Sequence, residues 1–151
     1  MIGSWTLVVE NVRPDGRVET TDAEWHFGWA LGGRAVVDVW ICPSRAAGQP
    51  GGHDEWGMSV RFYDERIGRI RSTWHGPQRG WVIPFLARAS GEQITLEGSH
   101  DDLDVRWTFS EIAAQSFRWR AEERARGEGW RVRQRFTATR LAPSRTGVSA
   151  P

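Results

Sequence analysis

The stretch Ser116-Phe117-Arg118-Trp119-Arg120-Ala121-Glu122-Glu123-Arg124, with Gly127-Glu128-Gly129 and the run from Trp130 to Arg140 behind it, decides the fold. Its composition favours a helix, and Ile112, Ser116, Trp119 and Glu123 fall at helical spacing. Its alternation favours a strand: Phe117, Trp119 and Ala121 take one parity, and Arg118, Arg120 and Glu122 take the other. The glycine-bracketed turn that follows suits a hairpin better than a helix end. With this segment assigned to strands, the chain is all-β.

Working outward, turn signals recur every 8 to 15 residues between short runs rich in Val, Ile, Thr, Phe and Trp, the pattern of a sandwich or barrel. Ten strands are predicted, at 5–12, 17–31, 34–41, 55–63, 69–75, 80–87, 93–99, 103–112, 116–124 and 130–140. Pro14-Asp15-Gly16, Gly32-Gly33, Asp64-Glu65-Arg66 and Ser90-Gly91 supply turn chemistry between them. The expected architecture is a single antiparallel up-and-down barrel of about 8–10 strands over residues 1–141, with an internal cavity and a disordered polar tail at 142–151.

Composition removes several classes of function. All 20 basic residues are Arg, and 19 acids leave a net charge of +1. Without Lys there is no Schiff-base nucleophile, no pyridoxal phosphate anchor and no Walker-type phosphate loop. The Arg residues are interspersed with acids, so no basic face for nucleic acid is expected. Cys42 is the single cysteine, which rules out an intrachain disulfide. The first residues lack a signal-peptide pattern and no run is long enough to span a bilayer, which points to a cytoplasmic protein without a membrane partner.

A set of landmarks then comes into view: Gly3-Ser4-Trp5, Gly32-Gly33-Arg34 leading to Asp38-Val39-Trp40, Arg61-Phe62-Tyr63-Asp64, Trp74, Arg106-Trp107-Thr108-Phe109, Phe117-Arg118-Trp119 and Trp130. Together they resemble a bacterial lipocalin-like family of the calycin superfamily, mostly of unknown function. The resemblance implies a barrel with a cavity, its floor closed by Trp5 with Arg140 or Arg135, and Trp130 is assigned to the same closure. It transfers no reaction. Nitrobindin-like calycins bind haem through an axial His, and this chain has no His after His100.

The chemistry depends on which parity of each strand faces inward. On 36–41, Asp38 and Trp40 oppose Val37, Val39 and Ile41; on 56–63, Ser59, Arg61 and Tyr63 oppose Trp56, Met58, Val60 and Phe62. An ordinary core would take the aliphatic set, whereas a ligand-binding lumen mixes aromatic and polar groups. The landmarks Asp38, Trp40, Arg61, Tyr63 and Arg106 favour the second arrangement. Arg61 and Arg106 would then share Asp38, leaving either a closed network or a fork free for a carboxylate, enolate or phenolate on a ligand. Trp25, Trp40, Trp74 and Trp119 are the mid-strand candidates to clamp a flat guest, with Trp56 and Trp107 on the packed opposite face.

The expected function is therefore binding of a small hydrophobic or aromatic molecule by Trp25, Trp40, Arg61, Tyr63, Trp74, Arg106 and Trp119, with no cofactor or metal. The competing reading is a cofactor-free cyclase or isomerase of secondary metabolism, in which Asp38, His75 or Tyr63 moves a proton. The turns His53-Asp54-Glu55 and His100-Asp101-Asp102 read as solvated. An aliphatic outer face on Val37, Val39, Val60 and Phe62 needs a cover, which a homodimer could supply.

Overall fold

The computed structural model describes residues 1–47 and 55–142. The expected tail from 143 onward and residues 48–54 of the long loop, His53 and Asp54 included, lie outside the described residues. Ten strands form: β1 (Gly3–Val12), β2 (Val18–Ala30), β3 (Ala35–Cys42), β4 (Glu55–Asp64), β5 (Arg69–Gly76), β6 (Trp81–Ser90), β7 (Gln93–His100), β8 (Leu103–Ser110), β9 (Ser116–Ala125) and β10 (Arg131–Arg140). Each pairs antiparallel with the next, and β10 returns to β1, so the sheet closes on itself. Closure removes the two unpaired edges that an open sheet would present.

The segment 116–124 is a strand, as its alternation required: Phe117 and Trp119 are buried while Arg118 and Arg120 are exposed. Strand β8 stops at Ser110, short of the expected 112, because Glu111 takes a left-handed φ of 49° that a ladder cannot continue. The turn after β9 depends on Gly127 at φ 84°, a conformation that costs glycine no Cβ clash. Among the described residues no helix is long and apolar enough to cross a membrane.

The two ends of the barrel differ. Where β1 begins and β10 ends, Trp5 is fully buried, its indole N–H donates to the Met1 carbonyl (2.9 Å), and the Arg140 guanidinium lies 4.2 Å over its ring. Arg140 donates as well to the carbonyls of Ile2 (2.7 Å) and Ala114 (2.6 Å), tying the first residues to the β8–β9 connection. Arg140 thus fills the closing position, whereas Arg135 pairs with Glu10 on the outer face. Trp130 takes no part in this floor: its ring carries Arg106 (4.2 Å) and Arg124 (4.6 Å). The opposite, open end is formed by the turns after β1, β5, β7 and β9 and by the loop after β3.

Candidate functional site

The interior is aromatic. From β2, Trp25 touches Phe27, Trp40, Phe109, Phe117, Trp119 and Phe136, with ring centroids 4.8–6.2 Å apart. Trp119 stacks on Phe136 (5.0 Å, 18°) and meets Trp107 edge-on at 5.6 Å; Trp107 in turn meets Trp74 at 5.7 Å and Phe85 at 4.4 Å. These contacts make a band across the middle of the barrel. Large residues sit beside small ones on neighbouring strands: Trp40 pairs with Gly57, Trp107 with Ala121, Trp81 with Gly76 and Phe85 with Gly98. A Cβ on Gly57 would overlap the Trp74 ring, so that glycine lets the indole lie against the wall. Alternating size is what allows a narrow barrel to hold this many rings.

The floor side of the band holds the one buried ion pair that the landmarks anticipated. Asp38 is fully buried and accepts hydrogen bonds from the Trp25 indole (2.6 Å) and from Arg61. Arg61, only 12% exposed, also donates to the Ser59 hydroxyl at 3.3 Å and spans the lumen to lie 5.7 Å from the Phe27 ring and 5.8 Å from that of Phe109. Burial pushes the Asp38 carboxyl up, and Arg61, Trp25 and Ser59 pull it back down. Burial likewise lowers Arg61 against the pull of Asp38. With two nitrogens of the fork engaged, the arrangement is the closed network rather than a free fork; the Arg61 Nε and the Ser72 hydroxyl on the paired strand have no partner among the described residues. Asp38 has no solvent access and its carboxylate is already hydrogen-bonded, which leaves it poorly placed to shuttle a proton to a guest.

Several predicted placements need correction. Arg106 lies outside the barrel, hydrogen-bonded to Glu122 at 3.0 Å, because Val105, Trp107 and Phe109 carry the inward parity of β8. Trp107, expected on the opposite face, is consequently inside. His75 also faces outward, since Ser72 and Trp74 hold the buried parity of β5. Tyr63 keeps the inward parity but sits at the floor end of β4, beside the β4–β5 turn, and is 60% exposed. Asp38, His75 and Tyr63, the alternative candidates to move a proton, therefore lie in three different settings and are not brought together around one space. Trp25, Trp40, Trp74 and Trp119 all face the lumen. His26 faces out, between Ser4 (2.8 Å) and Glu24 (3.1 Å), and Glu24 holds Arg45 of the following loop at 2.6 Å.

The open side of the band has a different character. Val105, Trp107 and Ala121 face inward yet remain only half-buried, so solvent reaches the aromatic band from this end. Beside them the Trp119 indole N–H is buried and has no acceptor among the described residues. The rim carries Glu55, ion-paired with Arg79 at 2.9 Å, and Trp81, whose ring lies 4.8 Å under the Arg79 guanidinium and meets His100 edge-on at 4.7 Å. Burial raises the Glu55 carboxyl above its ordinary range, and Arg79 opposes the shift. Glu55 and His100 had the appearance of solvated turn residues; their inward role follows from strand parity at β4 and β7, which the neighbouring His and Asp residues obscured.

No family model matches the chain, and no curated protein does either. Among solved structures, Rv2717c from M. tuberculosis superposes with a TM-score of 0.64 at 18% identity, over 93% of this chain and 92% of that one. EF1p2_mFAP2b bound to DFHBI aligns over 93% of both chains at 13% identity, with a TM-score of 0.42. A protein of unknown function from the DUF3598 family of Nostoc punctiforme PCC 73102 aligns over 93% of this chain and 96% of its own at 8% identity, with a TM-score of 0.27. The first likeness speaks for the fold alone, and the other two are too distant to bear on it. Closed, antiparallel and ten-stranded, with Trp5 and Arg140 at its floor, the barrel has a lipocalin/calycin-like fold.

Proposed function

We propose that the open half of the barrel binds a small, flat, largely apolar molecule against Trp40, Trp74, Trp107 and Trp119. The observation that carries this reading is the coincidence, at mid-barrel depth, of inward side chains that solvent still reaches with a buried indole N–H that lacks an acceptor. An unmade hydrogen bond of this kind costs about 1–3 kcal/mol, and a guest oxygen or ring nitrogen placed against it would recover that cost. Aromatic walls supply area and shape but little selectivity, so the indole N–H would set the orientation of the guest. Aromatic acids, polyketides and terpenoids with one acceptor on a rigid skeleton are the matching chemistry.

The test is a thermal-shift and native-mass screen of such compounds against the wild type and Ala121→Leu. The isobutyl side chain that replaces the methyl group would project into the half-open space beside Trp107, the cross-strand partner of Ala121. Stabilisation of the wild type alone is expected. A broad panel that stabilises neither protein, or both equally, would contradict the reading.

A further inference from the structure

The outer surface of β2–β6 differs from the rest of the barrel. Read across the register, one row of outward positions is Gly28, Val37, Val60, Thr73 and Pro84, and the next towards the open end is His26, Val39, Met58, His75 and Val82. Neither row contains Asp, Glu or Arg. On the floor side a third row adds Phe62 and Leu86 around Arg71, whose guanidinium is taken up by Asp64 at 2.7 Å. Val82 is 61% exposed, Phe62 44% and Val39 42%. Outward positions on β8–β10 and β1 instead hold ion pairs, among them Arg106–Glu122, Arg124–Asp104 and Arg135–Glu10. Large exposed apolar patches of this kind mark contact surfaces.

The face also has relief. A groove of about 610 Å³ runs past Val39, Trp56, Met58, His75, Pro77 and Val82. Phe62 and Leu86 form a ridge on the other side of the Val60 row. We infer that this face binds a second copy of the chain about a two-fold axis lying along Val37, Val60, Thr73 and Pro84. That axis sets β4 over β4 and β6 over β6, and it brings the ridge of each copy to the groove of the other. Such self-matching is what an isologous interface requires.

Size points to a weak dimer. Five strands ~4.8 Å apart and three rows ~6.6 Å apart cover roughly 480 Å². That falls short of the ~800 Å² per partner of a standard interface and matches a weak, transient contact. The Val60 and Met58 rows hold no Asp, Glu or Arg for a charged partner to pair with. A second copy instead offers the apolar matches Phe62 to Met58 and Leu86 to Val82, with Arg71, already held by Asp64, set opposite His75.

Sedimentation velocity on the full chain over a concentration series tests the inference. The wild type should show a monomer–dimer equilibrium in the micromolar range, and Val82→Glu or Phe62→Glu should be monomeric with an unchanged circular dichroism spectrum. Thr137→Glu, on the far side of the barrel, should leave the equilibrium intact. Val60→Cys, which meets its own symmetry mate on the axis, should form a covalent dimer under copper-phenanthroline oxidation; Cys42 is buried and serves as the wild-type blank. A wild type that stays monomeric at several hundred micromolar, a dimer that survives both Glu variants, or a Val60→Cys protein that does not cross-link would overturn it.

Discussion

Trp5 and Trp25 on the floor side of the barrel and Trp107 and Trp119 on the open side are the same residue type in the same lumen, yet they have different surroundings. The floor indoles are fully enclosed, and each N–H has an acceptor, the Met1 carbonyl for Trp5 and the Asp38 carboxylate for Trp25. On the open side Trp107 remains half-buried and the Trp119 N–H has no partner. An indole whose area and hydrogen bond are both satisfied contributes to stability. A reachable ring, Trp107, beside a buried and unsatisfied N–H, that of Trp119, leaves interaction energy for a guest that touches both.

The largest expected effect is on the floor side, at the Asp38–Arg61 pair. Arg61→Met or Asp38→Leu alone should cost about 3–5 kcal/mol in urea unfolding, because each leaves a buried charge without its partner. The double variant should recover most of that loss. If it is no more stable than either single change, the two residues do not act as a unit.

Next in size is a direct contrast of the two sides. Trp5→Phe removes a satisfied hydrogen bond and a stacked guanidinium, and should cost about 1–2 kcal/mol. Trp119→Phe removes a donor that was never satisfied and should cost less than about 1 kcal/mol while weakening any guest that uses it. Equal losses at the two positions would erase the distinction drawn here.

The smallest expected effect is at the rim. Burial raises the folded-state pKa of Glu55, so its ionisation works against folding: the associated stability is present in acid, below the unfolded-state value, and is lost as pH rises through the folded one. Glu55→Gln should therefore raise the melting temperature at pH 8, and the gain should disappear towards pH 4. A loss of stability at pH 8 that disappears towards pH 4 would mean that Arg79 dominates instead.

How much of this was legible in the sequence varies strand by strand. The ten strands, the closure at Trp5 and the inward Asp38, Trp40 and Arg61 were readable from turn spacing, landmarks and parity. On β8 the plain alternation of Val105, Trp107 and Phe109 against Asp104, Arg106 and Thr108 pointed the right way, but grouping Arg106 with the other landmark polar residues reversed it. On β3 and β4 the same rule would have failed, because the outward Val37, Val39, Val60 and Phe62 are as apolar as any core set. Alternation tells the faces of a strand apart only when one of them is polar. The accessibility of Trp107 and the unsatisfied Trp119 N–H depend on packing between strands distant in sequence, and no local pattern encodes them.

The central claim, that the open half of the lumen takes a guest, is tested most directly by titrating 1-anilinonaphthalene-8-sulfonate into the wild type and into Ala121→Leu while following tryptophan emission. The expected result is saturable quenching at one probe per chain in the wild type, weakened at least tenfold in Ala121→Leu with unfolding stability lowered by no more than about 1–3 kcal/mol. Identical titrations for the two proteins would place the probe outside the barrel and contradict the account.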